Sequence, residues 1–316
     1  MVTAFIFPGQ GSQKIGMGKD LFDSFAVAKE VFEEVDDALS INLSKIIFNG
    51  DEEELKLTVN TQPALMCVSY AVVKVIETMI NKPLSKIGKF NAGHSVGEYS
   101  ALVSARSIKL ADAAKILRLR GEAMQNAVPL NLGAMAALIG AEINIIDKIR
   151  AKYIEKDEIL DIGNDNSPGQ IVISGHNTAV ERVINIHKEL DIKRAIKLPV
   201  SAPFHCALMK KASDNMEKHI NNLDLVSPEI ILVNNIDASP ITDSLKIKES
   251  LIKQITGTVR WRESIENMCK LGVLNFIELG SGNVLTGLVK RINKNVNSIS
   301  IQNIKDIENF VNTLER

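Results

Sequence analysis

The sequence predicts an α/β protein: a mostly parallel sheet with a smaller unit of different topology inserted into it. Short apolar runs alternate with helical periodicity over most of the chain, and near the middle the order changes to strand, helix, strand, strand, helix, strand. Pro-bearing linkers flank that stretch, Val128-Pro129-Leu130-Asn131 before it and Leu198-Pro199-Val200 after it. At 316 residues the chain is long enough for two units of roughly 150 residues, or for one large domain carrying an insert.

The first strand is expected at residues 2–7, a nearly continuous apolar run of the kind buried on both faces of a parallel sheet. Val27, Val31, Val35 and Leu39 then recur every fourth residue, as do Ala64, Val68, Val72 and Ile76, with Pro63 read as a helix start. Further strands are expected at 90–92, 230–233, 273–279 and 298–301, separated by helical pattern. Between the linkers, strands at 135–139, 159–162, 170–174 and 194–198 and helices at 143–154 and 179–190 make a βαββαβ, the ferredoxin-like order. The expected division is a body of residues 1–128 and 200–316 with an insert at 129–199, and a cleft between them is a preferred ligand site.

Composition narrows the chemistry. Lys+Arg number 37 and Asp+Glu 38, a net charge of −1, which offers no electrostatic footprint for nucleic acid or an anionic membrane. The run at 2–7 is too short for a signal or spanning segment, so a cytoplasmic protein is expected. Cys67, Cys206 and Cys269 are odd in number and share no CxxC spacing, so neither a disulfide framework nor a zinc site is indicated. Gly9-Gln10-Gly11 follows a strand, but the third glycine of a dinucleotide fingerprint would fall at Lys14, so no redox cofactor or metal is implied.

The informative motif is Gly93-His94-Ser95-Val96-Gly97, a G-x-S-x-G directly after an expected strand and before the helical run from Glu98 to Val103. Flanking glycines permit a sharp turn that lifts a serine hydroxyl clear at a helix N-terminus, where backbone amides can stabilise an oxyanion. The same residues admit a second reading. Ser95-Val96-Gly97-Glu98 matches S-x-x-E, a capping box in which the helix's own amides consume the hydroxyl.

A serine nucleophile needs a base. Of five histidines, His187 and His219 read as helix-packing residues, His176 as a solvated turn residue, and His94 as structural because it adjoins Ser95 at a sharp turn. His205 remains, following Ser201-Ala202-Pro203-Phe204 on the return from the insert, where it is either a packed loop histidine or a base over the cleft. No acidic residue stands out as a third triad member, so a Ser-His dyad oriented by a backbone carbonyl is expected. Arg120 lies on the inward stripe of the helix at 109–127 with Ala113, Leu117 and Met124. A buried guanidinium demands a carboxylate, from the protein or from a ligand.

With these residues collected, the sequence resembles the malonyl-CoA:acyl carrier protein transacylases of fatty acid synthesis. The likeness runs through Phe7-Pro8-Gly9-Gln10-Gly11-Ser12-Gln13, Gly93 to Leu102, Arg118-Leu119-Arg120-Gly121, Asn166-Ser167-Pro168-Gly169-Gln170, Pro203-Phe204-His205, Gln254 and Glu278 to Leu285. The resemblance implies an α/β-hydrolase-like body and a ping-pong reaction in which Ser95, activated by His205, takes malonyl from malonyl-CoA and passes it to the phosphopantetheine thiol of acyl carrier protein. No cofactor is implied. By the same resemblance the amides of Gln10 and Val96 form the oxyanion hole, Arg120 grips the malonyl carboxylate, the Gln254 region orients His205, Asn166 contributes to substrate binding, and Phe204 favours malonyl over branched units. Lys290, Arg291 and Lys294, near a helix end, either complement the helix dipole or dock the acidic carrier. An esterase would share the Ser-His pair, but the chain has no HGGG-type motif.

Overall fold

Ala4, Phe5, Ile6 and Phe7 are all fully buried, which requires a strand covered on both faces. That strand, β1 (Val2–Phe7), lies inside a six-stranded sheet of order β10-β9-β1-β2-β7-β8. Its other members are β2 (Phe90–Gly93), β7 (Ile231–Val233), β8 (Pro240–Ile241), β9 (Val273–Leu279) and β10 (Asn297–Ile301). Every neighbouring pair is parallel except β7 with β8. The computed structural model describes residues 2–200 and 202–314; Ser201, in the segment leading to His205, lies outside the described residues.

Alternation along β1 separates two cores. Phe5 and Phe7 face the larger, built with helices Ala26–Leu39, Thr58–Ile80, Gly97–Ser104 and Leu110–Gln125. Ala4 and Ile6 face the smaller, closed by helices Trp261–Lys270 and Val284–Ile292. The helix Thr58–Ile80 is long and apolar enough to cross a membrane, but 67% of its most apolar stretch is buried inside the protein, as befits a core helix. Pro63 does not start this helix, as the sequence suggested, but lies inside it. The first turn is held instead by side chains: Thr61 Oγ1 donates to the Leu55 carbonyl at 2.5 Å and Asn60 Nδ2 to that of Glu54 at 2.8 Å. Burial of most of the helix, Pro63 included, offsets the roughly 3 kcal/mol cost of an interior proline.

The second sheet has order β4-β5-β3-β6, from β3 (Gly133–Ile139), β4 (Leu160–Ser167), β5 (Gln170–His176) and β6 (Arg194–Lys197). All of its pairs are antiparallel, with helices Ile145–Tyr153 and Asn177–Ile186 sharing its own core. This is the ferredoxin-like arrangement expected from the element order. β4 runs five residues beyond its expected end, because Gly163 to Ser167, poor strand formers by composition, pair through two register shifts. The antiparallel edge strand β8 was not anticipated; two residues starting on a proline carry no period.

Candidate active site

The motif at 93–97 is shaped by close approach. A Cβ on Gly93 would sit 1.8 Å from the Gly97 carbonyl carbon, and one on Gly97 would sit 2.2 Å from the Phe7 carbonyl oxygen, so β1, β2 and the following helix meet here only through glycine. Between them Ser95 adopts φ 53°, a left-handed conformation strained for any residue with a side chain. The helix begins at Gly97, and no side chain caps it. Among the described residues this overturns the capping-box alternative. The left-handed turn aims Ser95 Oγ away from the helix amides, and Glu98 turns inward, where its Oε2 accepts from the Asn235 amide at 3.1 Å and from Gln254 Nε2 at 2.8 Å.

His205, also left-handed at φ 60°, brings Nε2 to 2.8 Å from Ser95 Oγ, and its Nδ1 lies 2.8 Å from the Gln254 carbonyl oxygen. A carbonyl can only accept, so Nδ1 carries the proton and Nε2 is free to take one from the serine hydroxyl. Burial, followed by the charge of Arg120, lowers the His205 pKa to about 3, so the ring is neutral near pH 7. No carboxylate contacts it among the described residues: Asp161 pairs with Arg150 and Asp165 with Arg262. None of the other histidines hydrogen-bonds to Ser95 among the described residues. His94 Nε2 lies 2.8 Å from Asn166 Oδ1, and burial lowers its pKa. His176 is half-buried rather than solvated, its Nδ1 accepting from the Ile159 amide at 2.8 Å. His219, read as a packing residue, is exposed, because the helix Lys210–Asn221 turns Met216 and Ile220 inward instead.

Arg120 is 1% exposed, yet no carboxylate lies within ion-pair distance of it among the described residues. Its partners are neutral oxygens: Gln62 Oε1 at 2.7 Å, Gln254 Oε1 at 2.9 Å and Ser95 Oγ at 3.3 Å, with the Tyr99 ring centroid 5.7 Å away. Its Nε has no hydrogen-bond partner among the described residues, and burial lowers its pKa. A cation held this way keeps its charge available to an incoming anion beside the serine. Gln62 escaped sequence reasoning, as did Asn235, whose Oδ1 accepts from the Ser95 amide at 2.8 Å. Carboxamides lack a charge or a period that would mark them.

These groups open onto a cavity of about 380 Å³ with walls from both sheets' units, including Gln10, Ser95, Val96 and Arg120 on one side and Met135 and Asn164 on the other. Phe204 and His94 also line it. Asn166, expected at the substrate, is not in the wall; Asn164 is, and Asn166 reaches the cavity only through His94. No hydrogen bond within the described residues uses the amides of Gln10 or Val96, so both are free to donate to a ligand. The described residues contain no group of three or more His, Cys, Asp or Glu placed to hold a metal ion. Some distance away, Lys290, Arg291 and Lys294 are exposed, and Arg291, bonded to Gln170 Oε1, shares an open groove of about 500 Å³ with Lys193 and Arg194. Chemically, the cavity can perform acyl transfer through a serine ester, with a cation placed for an acyl group ending in a carboxylate.

Comparison with known proteins agrees with that chemistry. Residues 4–315 match the model of the acyl transferase domain. The malonyl CoA-acyl carrier protein transacylase of Bacillus subtilis is 43% identical over 312 residues, 99% of this chain and 97% of the relative. The solved acyl-carrier-protein-S-malonyltransferase of Bartonella henselae superposes with a TM-score of 0.96 at 47% identity, covering 100% of both chains. A malonyl-transacylase solved in complex with a type II PKS acyl-carrier protein superposes with a TM-score of 0.94 at 38% identity, covering 99% of this chain and 100% of that one.

Proposed function

Because this chain belongs to the acyl transferase family, and within it to the malonyl-CoA–acyl carrier protein transacylases, we propose that Ser95 carries the malonyl group between the two thiols. The protein is a transferase that moves malonyl from malonyl-CoA to acyl carrier protein for fatty acid synthesis. The observation that carries the mechanistic reading is a buried, carboxylate-free Arg120 within 3.3 Å of a serine that is itself 2.8 Å from a neutral imidazole.

Ser95 Oγ attacks the thioester carbonyl while His205 Nε2 takes its proton, and the Gln10 and Val96 amides receive the oxyanion. The C–S bond then breaks, and the proton on Nε2 passes to the departing sulfur. The phosphopantetheine thiol reverses these steps: His205 takes the thiol proton, sulfur attacks the ester, and Ser95 regains its hydrogen. The malonyl carboxylate rests on Arg120. It thereby cancels part of the charge that, after burial, depresses His205, so the base strengthens when an acyl group with a carboxylate is in place. Phe204 crowds the acyl C2, which favours malonyl over methylmalonyl. Three free thiols suit a reducing compartment such as the cytoplasm.

The carrier, acidic in this pathway, docks along Lys290, Arg291 and Lys294, beside Lys193 and Arg194 of the insert. In an assay with malonyl-CoA and a phosphopantetheinylated carrier, transfer is expected to dominate over release of free malonate, and reversing the three charges to raise the carrier KM. Hydrolysis undiminished by carrier thiol would instead mark a thioesterase.

A further inference from the structure

Gln254 serves two site groups at once. Its main-chain carbonyl accepts from His205 Nδ1 at 2.8 Å, and its side-chain Oε1 accepts from Arg120 Nη2 at 2.9 Å. A carboxamide has two nearly equal orientations, and the flipped one would turn its NH2 toward the guanidinium, donor against donor. The backbone decides which is adopted. Glu98 Oε2 takes the Asn235 amide N–H, so the Gln254 atom 2.8 Å from that same oxygen must be the donating nitrogen, which leaves Oε1 to Arg120. Asn235 is fixed likewise, its Oδ1 accepting from the Ser95 amide and its Nδ2 donating to the Gly93 carbonyl at 2.7 Å.

We propose, building on the functional reading above, that Glu98 is a positioning residue: it sets the orientation of the Gln254 carboxamide and so holds Arg120 where a malonyl carboxylate meets it. Two other acceptors of Gln254 Nε2, the Ser95 carbonyl at 3.2 Å and Asn235 Oδ1 at 3.3 Å, are more distant. Glu98 is fully buried, and burial raises its pKa to about 7, but protonation does not disturb the arrangement. The proton would sit on Oε1, which has no hydrogen-bond partner among the described residues, while Oε2 continues to accept.

The test compares acylation by malonyl-CoA with acylation by acetyl-CoA, which has no carboxylate for Arg120 and is expected to react more slowly. Glu98→Ala is expected to lower kcat/KM for malonyl-CoA by about tenfold or more while acetyl-CoA changes little, so that the ratio of the two falls. Glu98→Gln, which keeps an acceptor oxygen, is expected to restore the ratio to within about threefold of the parent. A merely structural role would lower both substrates together. Gln254→Met, which keeps the main-chain carbonyl but removes the carboxamide, reads the same contact from its other end and answers the question if Glu98→Ala does not fold. An undiminished ratio in Glu98→Ala or in Gln254→Met, or a Glu98→Gln variant as impaired as Glu98→Ala, overturns the proposal. A parent protein that takes no malonyl from malonyl-CoA overturns the functional reading itself, whereas an active parent beside variants with an unchanged ratio overturns only the role of Glu98.

Discussion

Two arginines occupy the floor of the cavity and the junction between body and insert, and their settings are opposite. Arg262, at the junction, grips Asp165 through Nε at 3.0 and 3.1 Å and through Nη2 at 2.9 Å, and that bond, with its attendant charge, raises its pKa. Arg120, on the floor, is more deeply buried, meets only neutral oxygens among the described residues, and has its pKa lowered by burial. Arg262 ties helix Trp261–Lys270 to β4 and is complete as it stands. Arg120 is complete only when an anion arrives. A guanidinium whose carboxylate is already in place serves the fold, and one surrounded by carboxamides is held ready for a ligand.

The sharpest way to break this contrast is to remove each cation in turn. Arg120→Met is expected to cut kcat/KM for malonyl-CoA by about a hundredfold or more. Its stability should change by about 1 kcal/mol or less, since relief from burying a charge offsets the amide oxygens left without donors. Arg262→Ala should do the reverse, costing about 2–4 kcal/mol by chemical denaturation because it strands a buried Asp165, while the folded fraction keeps its malonyl preference. Equal stability losses in both variants would erase the distinction.

The wall of the cavity provides a smaller effect. Replacing Phe204 by Ser should relax the preference for malonyl-CoA over methylmalonyl-CoA by about tenfold, measured as a ratio of kcat/KM values. An unchanged ratio would place selectivity elsewhere.

The pH dependence sharpens the account of the base. With a folded pKa of about 3 against an ordinary 6.5, His205 stays neutral while the unfolded chain takes up a proton, so its contribution to stability falls as pH drops from 6.5 toward 3. Glu98, raised from 4.5 to about 7, acts oppositely: its contribution falls as pH rises from 4.5 to 7. Between 4.5 and 6.5 the two slopes oppose each other. Comparing the parent with His205→Asn by denaturation at several pH values isolates the first: the variant should gain on the parent by about 1.4 kcal/mol per pH unit below 6.5. A difference independent of pH would mean that the imidazole is not held neutral.

Much of this site was legible in the sequence because its parts disturb local patterns. A hydroxyl between glycines after an apolar run, a histidine on the return from an insert and an arginine on an apolar stripe each violate the bland reading of their surroundings. The antiparallel insert was legible from element order, since βαββαβ has few ways to pack. Glu98 stood in the sequence as half of a capping box and as part of the motif from Gly93 to Leu102, with no role at the site, because its inward turn depends on Asn235 and Gln254, far off along the chain. Gln62, Asn235 and the extension of β4 were hidden for a related reason: carboxamides and bulged strands take their roles from distant backbone groups, which local spacing does not encode.

The central claim is that Ser95 accepts the acyl group and Arg120 selects it. Peptide mass mapping after brief exposure to malonyl-CoA or acetyl-CoA tests both parts at once. The account predicts a malonyl ester on Ser95 that forms far faster than the acetyl ester, is absent in Ser95→Ala, loses its advantage in Arg120→Met, and disappears when carrier thiol is added. A malonyl group found on another residue, or a Ser95 ester formed equally fast from both thioesters, would contradict it.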